Sequence, residues 1–224
     1  AGVHLLPLLD DIVWLLNIRG DDVRCNPVVL SYFAITNDQA FLFINPETLN
    51  QEVRDYLNDL KVEIRPYNEV YDYVKSLNNQ KILLESGCVN YAMLRSIDSS
   101  NEIIDQMNPE TLAKAVKNPV EIENMKKAHI KDGVAMTRFI YWLKKNIGKI
   151  PMDEISVEKK LDGLRMETEG NLGLSFDTIS AYGANAAMCH YSATEESNTP
   201  LQAKGFYLVD SGGQYYEGTT DITR

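Results

Sequence analysis

Hydrophobic period changes repeatedly along residues 1–116. Asp11 to Ile18, Val28 to Ile35 and Gln39 to Ile44 are runs of β-branched, aromatic and aliphatic residues that predict strands, the last two joined by a turn at Thr36-Asn37-Asp38. Pro46 to Leu60 then places Leu49, Val53, Leu57 and Leu60 at helical spacing, with Asn45 as N-cap and Pro46 in the first turn. Lys61 to Arg65 predicts a strand, Tyr67 to Leu77 a helix, Lys81 to Glu85 a strand and Tyr91 to Ser96 a short helix. Strands alternating with helices imply an α/β layered domain with some parallel pairing.

Lys117-Asn118-Pro119 is the predicted joint between a first domain over 1–116 and a second over 117–224, because Asn118 can cap and Pro119 can open a helix. From Val120 to Ile147, Ile122, Met125, His129, Met136, Phe139, Ile140, Leu143 and Ile147 trace one apolar face, and Gly148 closes the pattern. Asp153 to Thr168 predicts a second amphipathic helix with Ile155, Leu161 and Leu164 inward. Glycines and β-formers dominate from Gly170 onward, and Phe206 to Asp210 predicts a strand that delivers an acid at its end. The fold class is therefore α/β (α+β).

Composition narrows the partners. With 22 basic and 32 acidic side chains, the net charge of −10 argues against a nucleic-acid footprint, and no Lys/Arg cluster exceeds a pair. The acidity belongs to the first domain, with 9 basic and 17 acidic groups against 13 and 15 in the second, and reads as a solvated surface. The three cysteines, Cys25, Cys88 and Cys189, form no CxxC pair, so neither a disulfide scaffold nor a thiolate zinc site is indicated and a reducing compartment fits. Apolar stretches fall well short of the ~20 residues of a bilayer span, and the start lacks a signal-peptide pattern. The first residue is Ala rather than Met, which suggests processing or a boundary inside a longer chain.

Two places could carry chemistry. Val209 to Arg224 reads as a hairpin with one carboxylate on each arm, Asp210 and Asp221, although Asp is depleted in strands. A two-residue turn at Glu217-Gly218 would put Asp221 opposite Gln214 and leave Asp210 about 13 Å further along. A four-residue loop over Gln214 to Glu217 would put the two acids opposite each other, with Cβ atoms roughly 5 Å apart. Like charges that close need a cation, and hard oxygen donors suit Mn²⁺, Mg²⁺ or Zn²⁺. The structural alternative has Asp210 bonded to the amides of Ser211 to Gly213 and Asp221 paired with Arg224 on the surface. The second place is Cys189-His190-Tyr191, after the small-residue run Ser180 to Met188. His190 is expected at a strand end and is the histidine best placed for function. His4 lies near a terminus, His129 is read as a hydrogen-bonded core histidine, and Cys189 as a buried spectator.

These residues resemble a known family. Gly-Ala-Asn-Ala-Ala-Met-Cys-His-Tyr at 183–191, then Asp210-Ser-Gly-Gly-Gln-Tyr and Glu217-Gly-Thr-Thr-Asp-Ile-Thr-Arg, resemble the Xaa-Pro aminopeptidases (aminopeptidase P) of the pita-bread metallopeptidases. Asp11 to Gly20 and Asn26-Pro27 look like the creatinase-like middle domain of the three-domain cytosolic form. The resemblance implies a creatinase-like domain over 1–116, followed by the first half of a pita-bread catalytic domain over 117–224. It also implies two divalent metal ions, usually manganese, held in part by Asp210 and Asp221. His190 would be a substrate-binding and proton-handling residue outside the metal shell. The family's metal-binding His and two Glu would lie past Arg224, so the chain is expected to be an internal fragment without activity of its own. The parent enzyme would be a cytoplasmic homodimer acting on peptides with proline at the second position. A prolidase cutting Xaa-Pro dipeptides shares the fold and metals, and a pita-bread relative turned binding module is the non-enzymatic alternative.

Overall fold

The computed structural model describes residues 2–224, which divide into two compact units. The first comprises the described residues up to Val23 together with Pro27–Val116; the second is Lys117–Arg224 together with the short segment Arg24–Asn26.

In the first unit the elements are β1 (Val3–Leu6), α1 (Leu9–Leu16), β2 (Ser31–Thr36), β3 (Ala40–Ile44), α2 (Gln51–Asp59), β4 (Val62–Pro66), α3 (Glu69–Ser76), β5 (Lys81–Leu84), α4 (Tyr91–Ser96), β6 (Glu102–Asp105) and α5 (Pro109–Ala115). The strands form a single six-stranded sheet in the order β4-β3-β2-β1-β5-β6. Pairings β1–β2 and β2–β3 are antiparallel, whereas β1–β5, β3–β4 and β5–β6 are parallel. Side chains alternate across the pleat, so the sheet supplies two apolar layers. Leu5, Phe41, Phe43 and Ile82 pack with Val70 and Val74 of α3 and Met93 of α4, while Leu6, Phe33, Leu42 and Ile44 pack with Ile12 and Leu16 of α1 and Leu57 of α2. Helices on both faces of a mixed sheet make this an α/β layered unit.

The strand expected over Asp11–Ile18 is instead largely helix, α1 covering Leu9–Leu16. Over eight residues a β-rich composition also satisfies helical spacing, and Ile12, Val13 and Leu16 fall on one buried face. Asp10 and Asp11 sit in the first turn, where the positive end of the helix dipole favours them, and Asn17 ends the helix in the left-handed region at φ 49°. The helix expected from Pro46 to Leu60 is split: a 3₁₀ turn at Pro46–Thr48 is capped by Asn45, and α2 is capped separately by Asn50. The central strand β1, the edge strand β6 and α5 have no counterpart in the pattern reading.

The second unit contains α6 (Pro119–Asn146), α7 (Glu154–Met166), β7 (Asn171–Leu174), β8 (Ile179–Tyr182), β9 (Tyr207–Ser211), β10 (Gly213–Tyr215), β11 (Gly218–Thr219) and β12 (Ile222–Thr223). Helix α6 opens on a capping box: Asn118 Oδ1 accepts from Glu121 N–H at 2.9 Å, and Glu121 Oε2 from Asn118 N–H at 2.8 Å. Its buried stripe is Ala128, Asp132, Ala135, Met136 and Phe139. His129 is exposed rather than a core residue, and its Nδ1 lies 2.9 Å from the Met125 carbonyl one turn earlier. On α7 the buried residues are Glu154, Val157, Leu161, Leu164 and Arg165, with Ile155 only half-buried. Two small antiparallel sheets complete the unit, ordered β11-β10-β7 and β12-β9-β8. Among the described residues no helix is long and apolar enough to cross a membrane.

Candidate metal and substrate-binding site

Strands β9 to β12 form one continuous hairpin. Asp210 pairs with Thr223, Ser211 with Ile222, Gln214 with Thr219 and Tyr215 with Gly218. Between them the Gly213 carbonyl accepts from the Thr220 amide at 2.9 Å, which carries the same register through the join of the two sheets. The turn is therefore Tyr216-Glu217, a position between the two expected pairings, and Asp210 faces Thr223 rather than Asp221. Asp221 stands two residues from Thr223 on the opposite arm. Since side chains alternate with period two, it shares a face with Asp210 as a diagonal neighbour, roughly 7 Å away on general strand geometry. Val209, Tyr207 and Ile222 point the other way, into the apolar layer with Phe139 and Leu161 of α6 and α7.

Gly212 makes this close pairing possible: a Cβ there would lie 2.0 Å from the Thr220 carbonyl oxygen and 2.2 Å from Ser175 Oγ. The Ser175 hydroxyl donates to that same carbonyl at 2.8 Å. Asp210 Oδ1 accepts from the Thr223 hydroxyl at 2.7 Å, and the half-buried Asp210 and exposed Asp221 have no cationic partner among the described residues. Arg224 turns instead to the Thr223 carbonyl, at 2.7 Å, so the surface pair with Asp221 does not form. Two hard oxygen donors on one face suit Mg²⁺ or Mn²⁺. They are fewer than the three protein ligands usual for a catalytic cation, and among the described residues no group of three or more His, Cys, Asp or Glu is placed to hold one. The donors present fit as part of a ligand set.

His190 lies elsewhere on the unit. The Gly183–Ala187 run is a 3₁₀ turn and not a strand, because Gly183 adopts φ 60° and ends β8. His190 follows in a left-handed turn, φ 54°, with its side chain exposed. The adjacent Cys189 is exposed rather than buried, and all three cysteines are free. Strand β8 pairs Ile179 with Asp210 and Tyr182 with Tyr207, so the loop carrying His190 departs from the end of the sheet away from Asp210.

Two buried ionic groups, neither of them visible as a motif, organise these parts. Asp132 on α6 takes a bidentate pair from Arg165 of α7, at 2.7 and 3.1 Å, and accepts from the Tyr215 hydroxyl of the hairpin at 2.9 Å. Both partners of the pair are at most 1% exposed. Burial, with the Asp132 charge next in size, pushes the Tyr215 phenol well up, which keeps it a donor. Glu154, the first residue of α7, is wholly buried and gathers the His190 loop. Its carboxylate accepts from the Tyr182 amide at 2.6 Å, the Tyr191 hydroxyl at 2.8 Å, the Thr199 amide at 3.0 Å and the Asn185 carboxamide at 3.1 Å. Next to it on α7 is an acidic strip. Glu158 is pushed up to about 7 by partial burial and by the neighbouring Asp162 and Asp177, and Asp162 is raised by burial.

An α/β layered unit is followed in the chain by helices that back a carboxylate-bearing hairpin. The chain belongs to the Creatinase/Prolidase N-terminal domain family, matched over residues 1–121, and residues 123–224 match Metallopeptidase family M24. It is 37% identical over 238 residues to a probable Xaa-Pro aminopeptidase P of Colletotrichum graminicola, covering 100% of this chain and 39% of that protein. It is 39% identical over 230 residues to Xaa-Pro aminopeptidase 1 of Dictyostelium discoideum, covering 100% of this chain and 36% of the relative. The crystal structure of an X-prolyl aminopeptidase from Caenorhabditis elegans, described as a cytosolic enzyme with a di-nuclear active site, superposes with a TM-score of 0.93 at 34% identity, over 100% of this chain and 38% of that one. The chain thus spans a little over a third of the length of these relatives.

Proposed function

We propose that this chain is the creatinase-like domain (1–116) and the leading half of the catalytic domain (117–224) of a metal-dependent aminopeptidase. The enzyme would hydrolyse the bond before a proline at the second position of a peptide. The observation that supports the reading is the hairpin register, in which Asp210 and Asp221 fall on one face and neither forms an ion pair among the described residues. Those two carboxylates would hold part of a pair of divalent ions, manganese in our assignment, which when bound supply Lewis acidity toward a peptide carbonyl and lower the pKa of water. The Thr223 hydroxyl fixes the orientation of the Asp210 carboxylate, as outer hydrogen bonds do for ligating carboxylates generally. The exposed imidazole of His190 would donate to the oxygen that gains charge as the carbonyl becomes tetrahedral, or protonate the leaving prolyl nitrogen. The complete enzyme would be a cytosolic homodimer.

In an active enzyme carrying this segment, Asp210→Asn and Asp221→Asn are each expected to lose bound metal and to lower turnover on Xaa-Pro-Yaa tripeptides by more than about 10³-fold; deleting a single oxyanion donor such as His190 would cost about 10²–10³-fold. Metal content by elemental analysis and kcat are the readouts. Retained manganese with near-normal turnover in either variant would refute the assignment. Cleavage of Xaa-Pro dipeptides in preference to longer peptides would make the enzyme a prolidase.

A further inference from the structure

We propose that Glu154 is the positioning residue for His190, and this rests on the reading of His190 as a group that meets substrate. The segment 183–199 contains little regular structure beyond its first turn, and something must hold the histidine in one place. Glu154 does so at four points. It takes the backbone amide immediately before the segment, at Tyr182, and the one at its far end, at Thr199. Inside the segment it takes Asn185 and Tyr191, the residue that directly follows His190. The Asn185 carboxamide also reaches the Tyr191 hydroxyl at 3.0 Å and Thr199 Oγ1 at 3.1 Å, so the anchors are tied to one another as well as to the carboxylate.

The start of α7 holds Glu154 itself in register. Its amide donates to the Thr199 carbonyl at 3.2 Å, its own carbonyl accepts from Ser180 Oγ at 2.7 Å, and the next amide, of Ile155, donates to Asn198 Oδ1 at 3.2 Å. With Tyr191 buried against the carboxylate and the backbone reversed at His190, the imidazole is turned outward. Every group that meets the carboxylate is an N–H or O–H donor, so a carboxamide in its place would turn an N–H toward at least one of them. A buried carboxylate collecting three donors from one loop and a fourth from the strand before it is an expensive device for stability alone, since burying a charge is costly even where hydrogen bonds compensate it. It is well suited to fixing a single loop conformation.

The test is a double-mutant cycle in an active enzyme carrying this segment. Glu154→Gln is expected to lower kcat by about 10- to 100-fold with KM changed less than threefold, and to speed hydrogen exchange across 182–199 while α6 stays protected. In a His190→Ala background the same substitution is expected to lower kcat no further than twofold, because its effect runs through the histidine. Multiplying losses in the double variant would overturn the proposal and leave Glu154 a general structural residue. Should Glu154→Gln fail to fold, Tyr191→Phe, which removes one donor and keeps the ring, is expected to show a smaller kcat loss that also vanishes in the His190→Ala background; a loss that persists there would overturn it equally. Unchanged kcat in His190→Ala alone would instead refute the role of the histidine, and accelerated exchange of 182–199 in Glu154→Gln would then still report the clamp by itself.

Discussion

The two units bury very different things. In the first, both faces of the six-stranded sheet are covered by aliphatic and aromatic side chains, and the one buried carboxylate among its described residues, Asp11, sits at the helix start where Lys114 and Thr111 meet it. In the second, Asp132, Arg165 and Glu154 are buried in a unit whose apolar cluster includes Phe139 and Leu161. Burying charge rarely adds stability over a well-packed apolar alternative, so these groups point to a demand for placement. The contrast separates a layered scaffold from a unit packed to hold a hairpin and a loop in fixed positions.

The contrast can be broken most forcefully at Asp132. Asp132→Ala leaves the Arg165 guanidinium buried without its partner and is expected to destabilise the second unit by about 3–5 kcal/mol, measured by denaturant titration with the loss of amide protection localised to α6 and α7. Replacing the pair together, as Asp132→Leu with Arg165→Met, should restore most of that stability yet leave the Tyr215 hydroxyl without its acceptor. A double variant as unstable as Asp132→Ala would mean that the ion pair is itself a source of stability. In the first unit, Leu42→Ala empties a fully buried site in the sheet and should cost about 2–5 kcal/mol, with protection lost in β2 and β3.

A smaller effect is expected at Gly212→Ala, where the new methyl forces the hairpin arms apart; about 1–3 kcal/mol is typical of overpacking. Metal retention in the active enzyme should fall with it, since Asp221 lies on the displaced arm. Unaltered metal binding would show that the close approach at Gly212 is irrelevant to the carboxylates. The smallest effect is pH-linked. Glu158 is raised to about 7 in the folded unit against an ordinary 4.5, so its contribution to stability is fully present below about 4.5 and is lost as pH rises through 7. Glu158→Gln should flatten the fall in thermal midpoint between pH 5 and pH 8, and an unchanged slope would remove Glu158 from the acidic strip's energetics.

How much of this could be read in advance follows the same division. Capping and periodicity show themselves locally, so Asn118-Pro119 and the length of α6 were legible, as were α4 and β3. Asp11–Ile18 was misread because eight residues satisfy two periods at once. The acids of the hairpin were legible as unusual residues in strands, but their register depended on a turn at Tyr216-Glu217 that two glycine-flanked alternatives concealed. Glu154 was invisible: its four partners come from residues 28 to 45 positions away, and no local pattern signals a carboxylate turned inward. Asp132 left a faint trace, an acid midway between Ala128 and Met136 on the stripe that α6 buries.

The uniform pairing from Asp210–Thr223 down to Tyr215–Gly218 has a consequence for how such chains can vary in length. Residues added at the Tyr216-Glu217 tip lengthen only the bend and leave the two acids on their common side. One residue added between Gly218 and Asp221 would rotate Asp221 to the helix side, where Val209 and Ile222 now pack, and bury a lone carboxylate in oil. Length polymorphism in this hairpin should therefore be confined to its tip, while the short stretch leading back to Asp221 behaves as a ruler.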